Sequence, residues 1–231
     1  MKMKPLVSIV IRTKNEGLMI AKVLKVLQKQ TLRNYEVLII DSGSTDKTLE
    51  IVKQFPVKIF KINPENFTYG YALNYGIKYA LGKYICIISG HSLPISDKFL
   101  ESGVKVLTEE NVVGVSGPSP DFAVGYLNRL LGSVILFFEK KRKDHTPWMT
   151  NTNSMIRREV WEKYHYDESL SGCEDYDWGR EMISRGYNIV KIRSFSVFHS
   201  HWLLCKPGYF RMQKKWHEWN KIIDNKHRSS R

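Results

Sequence analysis

Apolar and polar positions alternate along the first half of the chain in two periods. Val7-Ser8-Ile9-Val10-Ile11-Arg12 is β-branched and apolar, bounded by Pro5 and by Lys14-Asn15-Glu16-Gly17. Such a run predicts a buried strand. Ile20, Val23, Leu24 and Leu27 then recur at helical spacing, which predicts an amphipathic helix from Gly17 to Lys29. Glu36 to Ile40 is a second apolar strand, closed by the turn-and-cap cluster Asp41-Ser42-Gly43-Ser44-Thr45-Asp46. A helix through Leu49, Val52 and Lys53 leads to a third strand, Val57 to Ile62. Tyr69 to Leu81 reads as a helix stopped by Gly82, and Tyr84 to Ile88 as a fourth strand ending in Ser89-Gly90-His91-Ser92.

This repeated β-α-β order implies a parallel sheet covered by helices on both faces. Ligands of such sheets bind outside the carboxyl ends of the strands. The polar clusters Thr13 to Glu16, Asp41 to Asp46 and Ser89 to Ser92 fall at three of those ends, so they should converge on one crevice. The second half is less regular. It offers a helix around Asp97 to Leu107, a strand Val112 to Ser116, and an apolar helix Tyr126 to Phe138 running into Lys140-Lys141-Arg142-Lys143. Helices from Arg158 to Lys163 and Tyr176 to Arg185 and strands at Asn188 to Ile192 and Ser196 to Phe198 follow. The division expected is a main domain over 1–205 and a basic amphipathic helix over 206–231 carrying Trp216 and Trp219.

Composition narrows the class. The 231 residues, 42% of them hydrophobic, suffice for one well-packed core. Three scattered cysteines, with no CxxC pair, suggest neither a disulfide framework nor a zinc cluster and fit a reducing compartment. No secretory leader is read at the start, and Leu130 to Phe138 is too short to span a bilayer, so the expected location is cytoplasmic, with a peripheral place on the inner membrane face. The net charge of +13 favours anionic partners: nucleic acid, lipid headgroups or phosphorylated substrates.

The turn after the first strand, Thr13-Lys14-Asn15-Glu16-Gly17, lacks the glycines of a dinucleotide fingerprint, and no P-loop occurs. The strand ends offer acids instead. Asp41 is placed to accept from a base N–H, and Glu16 to hold a base or ribose, while Asp46 doubles as a helix cap. Glu174-Asp175-Tyr176-Asp177 puts three acids at the start of a helix. The macrodipole favours acids there, but three exceed what capping needs, and one can serve as a general base. His199-Ser200-His201 ends a strand with both imidazoles on one face, an arrangement suited to a divalent metal.

In this order and spacing the motifs resemble a family 2 inverting glycosyltransferase of the GT-A fold, over about residues 5 to 202. The residues that carry the likeness are Val7 to Glu16, Asp41 to Asp46, Ala72-Leu73-Asn74-Tyr75-Gly76 through Gly82, and Glu174 to Trp178. The resemblance implies a Rossmann-like α/β/α sandwich with a mostly parallel central sheet. It also implies a nucleoside-diphosphate sugar bordered by Thr13, Asn15, Glu16, Asp41, Ser44 and Asp46, with Asn74, Ser89 and Gly90 near its diphosphate. Asp175 would be the catalytic base, with Glu174 second. One departure stands out. Where the family has a metal-binding DxD, this chain has Ser89-Gly90-His91. Either His91 joins His199 or His201 in a nitrogen-rich metal site, favouring Mn²⁺ over Mg²⁺, or histidines and basic side chains take the diphosphate charge without a metal.

The acceptor implied is a glycan or lipid-linked glycan of cell-surface polysaccharide synthesis. The basic cluster and Trp-bearing tail suit an anionic membrane surface, or else an ordinary core or oligomer contact. Trp148, Trp161 and Trp202 are candidates for stacking on sugar rings. A non-catalytic nucleotide-sugar-binding module and a basic nucleic-acid-binding protein are the competing classes. Nucleic acid is disfavoured, because no recognition motif is present and the acids of the crevice would repel phosphate.

Overall fold

In the computed structural model the residues described are 4–120, 134, 137, 138, 140–199 and 209–229, with side chains of the last stretch from 214 to 228. The strands are β1 (Val7–Thr13), β2 (Tyr35–Asp41), β3 (Lys58–Lys61), β4 (Tyr84–Ser89), β5 (Ser92–Pro94), β6 (Val112–Ser116), β7 (Arg142–Lys143), β8 (Asn153–Arg157), β9 (Asn188–Ile192) and β10 (Val197–His199). The helices are α1 (Ile20–Leu27), α2 (Thr48–Val52), α3 (Tyr69–Lys78), α4 (Phe99–Leu107), α5 (Arg158–Trp161), α6 (Glu174–Ser184) and α7 (Tyr209–Ser229).

Eight strands form one sheet in the order β3-β2-β1-β4-β8-β6-β9-β7, and β10 pairs with β5 beside it. The run β3-β2-β1-β4 and the pair β6-β9 are parallel; β8 runs antiparallel to both its neighbours, and β7 antiparallel to β9. Strand alternation divides the core. Ile9 and Ile11 pack with Ile20, Leu24, Val52 and Phe99 on one face, under α1, α2 and α4. Val10 and Ile40 pack with Leu73, Ile77, Trp161 and Trp178 on the other, under α3, α5 and α6. The result is the α/β/α sandwich that the alternation predicts.

Register places the crevice. Thr13 lies opposite Asp41, and Arg12 opposite Ser89, so the carboxyl ends of β2, β1 and β4 sit side by side. Two departures from the sequence pattern matter. First, α1 begins at Ile20 rather than Gly17, because Asn15 takes a left-handed φ of 57° and the Glu16 carbonyl accepts from Met19 and Ile20 in a turn. Second, α3 ends at Lys78, short of Gly82. Gly82 instead permits a close crossing: a Cβ there would lie 2.5 Å from the Ser8 nitrogen, and its N–H donates to Ser8 Oγ at 2.8 Å.

The stretch expected as a basic tail contributes α7, which packs on α6. Tyr176 OH donates to Asp224 Oδ1 at 2.8 Å. Asp177, fully buried, accepts from Lys226 Nζ and pairs with His227 Nε2, each at 3.0 Å. No helix among the described residues is long and apolar enough to cross a membrane. Most of Leu130 to Phe138, and all of His201, Trp202 and Cys205, lie outside the described residues.

Candidate active site

The loops after β1 and β2 are laced together. Asn15 Oδ1 accepts from the Thr45 N–H at 2.8 Å and the Asp46 N–H at 3.3 Å, while the Asn15 N–H donates to Ser44 Oγ at 2.9 Å. Asp46 Oδ2 accepts from the Gly17 N–H at 3.0 Å and Oδ1 from the Thr48 N–H at 2.9 Å. Asp46 therefore works as the cap and loop tie that its position at a helix start suggests. Asp41 is 1% exposed and receives four donors: the Gly43 and Ser44 N–H groups, Ser44 Oγ, and Thr13 Oγ1 at 3.4 Å. Its carboxylate organises the Gly43–Ser44 turn, where Gly43 takes a φ of 92°, rather than standing open to a base.

The end of β4 closes against this lattice. A Cβ on Gly90 would lie 2.8 Å from Glu16 Cγ and 3.2 Å from Thr13 Cγ2, so only glycine lets the strand end approach so closely. Glu16 Oε1 meets His91 Nδ1 at 2.7 Å, and His91 Nε2 meets His199 Nε2 at 3.0 Å. Glu16, expected on the nucleoside, is thus engaged with His91. The Glu16 carboxylate on Nδ1 orients the His91 ring so that Nε2 faces His199. Among the described residues no group of three His, Cys, Asp or Glu gathers as a metal cage.

The segment before β8 links this end of the sheet to the acids of α6. Thr152 O accepts from the Ser89 N–H at 3.3 Å, and the Asn151 N–H donates to Asp175 Oδ2 at 2.8 Å. Asn151 Nδ2 donates to the buried Glu174 Oε1 at 3.1 Å, and Asn151 Oδ1 accepts from Ser154 Oγ at 3.0 Å. The three acids of the motif therefore divide their work. Glu174 fixes Asn151, Asp177 anchors α7, and Asp175 is left half-buried with two backbone N–H partners, Asn151 and Tyr176. Burial pushes the Asp175 carboxyl up to about 7, and Glu174 beside it adds to the rise; the N–H groups of Asn151 and Tyr176 and the Arg12 charge pull the other way. Trp148, 53% exposed, lies against Tyr176 with ring centroids 4.5 Å apart, forming an open aromatic surface next to Asp175.

Asn74 does not join the crevice. It is 8% exposed, its Nδ2 donates to Tyr166 O and Glu168 Oε1, each at 2.8 Å, and its Oδ1 accepts from Trp161 Nε1 at 3.0 Å and the Tyr166 N–H at 3.1 Å. Every amide valence is spent on tying α3 to the 161–168 segment, so none remains for a diphosphate. Trp161 is likewise core, 5% exposed and stacked on His165. Sequence reasoning missed Asn151, the hinge between the two halves of the site, and Arg12, whose guanidinium lies 4.7 Å from the Tyr69 ring centroid. An arginine near the carboxyl end of a largely apolar buried strand is the signal that could have found the latter.

Residues 8–164 match glycosyl transferase family 2, and the chain belongs to that family. The match ends before Glu174. The O-antigen chain rhamnosyltransferase WbaN of Salmonella anatum is 28% identical over 186 residues, which cover 75% of this chain and 59% of that protein. A dolichyl N-acetyl-α-D-glucosaminyl phosphate 3-β-D-2,3-diacetamido-2,3-dideoxy-β-D-glucuronosyltransferase of Methanococcus voltae is 36% identical over 123 residues, covering 48% of this chain and 38% of that one. The chain thus spans about three fifths of the first relative's length and less of the second's. In fold, it matches the mannosyltransferase PcManGT of Pyrobaculum calidifontis, solved with GDP-Man and Mn²⁺ (TM-score 0.68, 20% identity, 86% of this chain and 57% of that one). It also matches S. aureus TarS in complex with UDP (TM-score 0.66, 18% identity, 86% and 60%). These last two establish the GT-A fold.

Proposed function

We propose that this chain transfers one sugar from a nucleoside-diphosphate sugar to an acceptor hydroxyl, by a single in-line displacement with inversion. The observation that carries the reading is Asp175: a half-buried carboxylate, held by two backbone N–H groups, with its proton affinity raised to about 7. A general base works best when its pKa lies near the working pH. The Asp175 carboxylate takes the acceptor O–H proton as the acceptor oxygen bonds the anomeric carbon. The bond from that carbon to the phosphate oxygen breaks, and the nucleoside diphosphate leaves with its electron pair.

The nucleoside lies against the loops built from Thr13, Asn15, Ser44 and the Asp41 turn, with Ser89 and Gly90 toward the diphosphate. The Trp148 face beside Asp175 suits the apolar side of an acceptor sugar ring. A divalent metal fits His91 and His199. His91 and His199, whose Nε2 atoms stand 3.0 Å apart, would hold such an ion. Glu16 on Nδ1 is the outer partner such a ligand needs. A metal held there would supply charge stabilisation to the diphosphate, and the nitrogen ligands would favour Mn²⁺ over Mg²⁺. The bacterial and archaeal relatives support a glycan or lipid-linked glycan acceptor in surface polysaccharide synthesis. The net charge of +13 supports work at the anionic inner face of the membrane, from the cytoplasmic side.

A thermal-shift screen against UDP-, GDP- and dTDP-sugars, each with EDTA, Mg²⁺ or Mn²⁺, tests this. One nucleotide class should raise the melting temperature, most strongly with Mn²⁺. No shift under any condition would reject the donor assignment, and a shift indifferent to EDTA would reject the metal.

A further inference from the structure

Arg12 has no place in the lattice just described. It is the last residue but one of β1, paired in register with Ser89, and its carbonyl accepts from the Gly90 N–H at 3.2 Å. Its side chain leaves on the sheet face opposite Thr13, toward α3 and α6, and its guanidinium carbon lies 4.7 Å from the Tyr69 ring centroid. The residue is half-buried. Its Nε is shut off from solvent and has no hydrogen-bond partner among the described residues. A partly buried cation with an unsatisfied donor is costly, because hydration is lost and nothing replaces it. Ordinary structural arginines of this chain do not look like this: Arg157 donates to the carbonyls of Leu107 and Glu109, and Arg142 to the carboxylates of Glu109 and Asp144.

A second orphan donor shares the neighbourhood. The Tyr166 hydroxyl is buried without a partner among the described residues, on a side chain only 2% exposed. Its proton affinity is raised first by burial, then by Asp175 and Glu174, and lowered by Arg12, so all four groups lie within electrostatic reach of one another. Two unsatisfied donors, Arg12 Nε and Tyr166 OH, therefore lie near Asp175, with Arg12 beside the end of β4 in register with Ser89. In an in-line displacement the leaving phosphate oxygen lies across the anomeric carbon from the base, so the departing charge develops on the Ser89–Gly90 side, where the proposed function puts the diphosphate and where Arg12 pairs with Ser89. The loss of both acids of a DxD at Ser89-Gly90-His91 leaves fewer groups there to manage that charge.

We propose that Arg12 is a further catalytic residue, a receptor for an oxyanion of the bound donor diphosphate, backed by the Tyr69 ring. This rests on the nucleotide-sugar reading and deepens it. The planar guanidinium offers Nε and a terminal N–H to a phosphate oxygen as a fork, and the bond strengthens as the diphosphate departs. The alternative anion is a phosphate or carboxylate on the acceptor. A purely structural Arg12, or one that only tunes Asp175, would leave donor affinity unchanged.

The test compares the whole chain with Arg12→Met and Arg12→Lys by titration calorimetry. Each is titrated with uridine, guanosine and thymidine and with UDP, GDP and dTDP. The wild type binds one nucleoside diphosphate more tightly than its nucleoside. In Arg12→Met that diphosphate affinity falls about tenfold or more, the cost of one charge-assisted contact, while nucleoside affinity is kept and the melting temperature without ligand is unchanged or higher. Arg12→Lys falls between the two and guards against a folding defect in Met. If Arg12→Met binds the diphosphate as tightly as the wild type, the inference is overturned while the donor reading stands; a selective rise in acceptor KM would then assign the anion to the acceptor. If the wild type itself gains nothing from the diphosphate, the donor reading fails and the inference with it.

Discussion

Asp175→Asn separates catalysis from stability with opposite signs. Holding a carboxyl at about 7 instead of its ordinary 3.8 means that the fold resists its ionisation. The folded-state pKa is raised, so the associated stability is full below about pH 4 and is lost as pH rises through 7. At about 1.4 kcal/mol per pH unit, the ionised wild type forfeits up to ~4 kcal/mol above pH 8. Asparagine removes that loss, but its NH₂ must face one of the two N–H groups that now donate to Asp175. One lost hydrogen bond with an unsatisfied partner costs ~1–3 kcal/mol. The variant should therefore be more stable than the wild type at pH 8 by ~2 kcal/mol, a rise of about 4–8 °C in melting temperature for a domain of this size. At pH 5, where the wild type already carries the proton, the advantage should vanish or reverse. Turnover should fall about 10²- to 10⁴-fold with donor affinity unchanged. Differential scanning calorimetry across pH, paired with donor-turnover kinetics, reads both. Equal destabilisation at pH 5 and pH 8 would refute the buried-carboxylate argument, and unchanged turnover would refute the base.

Glu174→Gln removes the charge that helps raise Asp175 while its amide oxygen can still accept from Asn151, so the acid limb of the kcat–pH profile should move to lower pH; a limb that stays put would mean burial alone sets Asp175. Asn74→Ala breaks four buried hydrogen bonds and should cost ~2–4 kcal/mol by urea unfolding with nucleotide affinity unchanged. A selective loss of diphosphate affinity in a stable Asn74→Ala protein would return Asn74 to the site. His91→Ala should abolish any Mn²⁺-dependent part of the donor-induced thermal shift and leave the EDTA part, whereas loss of both would mark His91 as a structural strut for Glu16.

The parallel half of the fold was legible because its strands are buried on both faces and read as unbroken β-branched runs: β1, β2 and β4 fall where the pattern puts them. β8 was not, because its first residues, Asn153 and Ser154, read as loop. They are fully buried only because Asn153 Nδ2 finds the carbonyls of Gly117 and Phe195, and Ser154 finds Asn151, partners 36, 42 and 3 residues away in sequence. The convergence of the three polar clusters followed from topology alone. How labour divides within Glu174-Asp175-Tyr176-Asp177 did not, since it depends on what α7 and Asn151 bring from elsewhere. Asn74 shows the reverse failure: a residue in a motif position whose hydrogen-bonding capacity the core consumes.

The measurement closest to the central claim is release of nucleoside diphosphate from UDP-, GDP- and dTDP-sugars by the whole chain, in Mn²⁺, with and without a polyprenyl-linked glycan acceptor. One donor class should be turned over, faster with acceptor than by water alone, and Asp175→Asn should silence it. No release from any donor, or release that persists undiminished in Asp175→Asn, would contradict the assignment of Asp175 as the base of a sugar-transfer site.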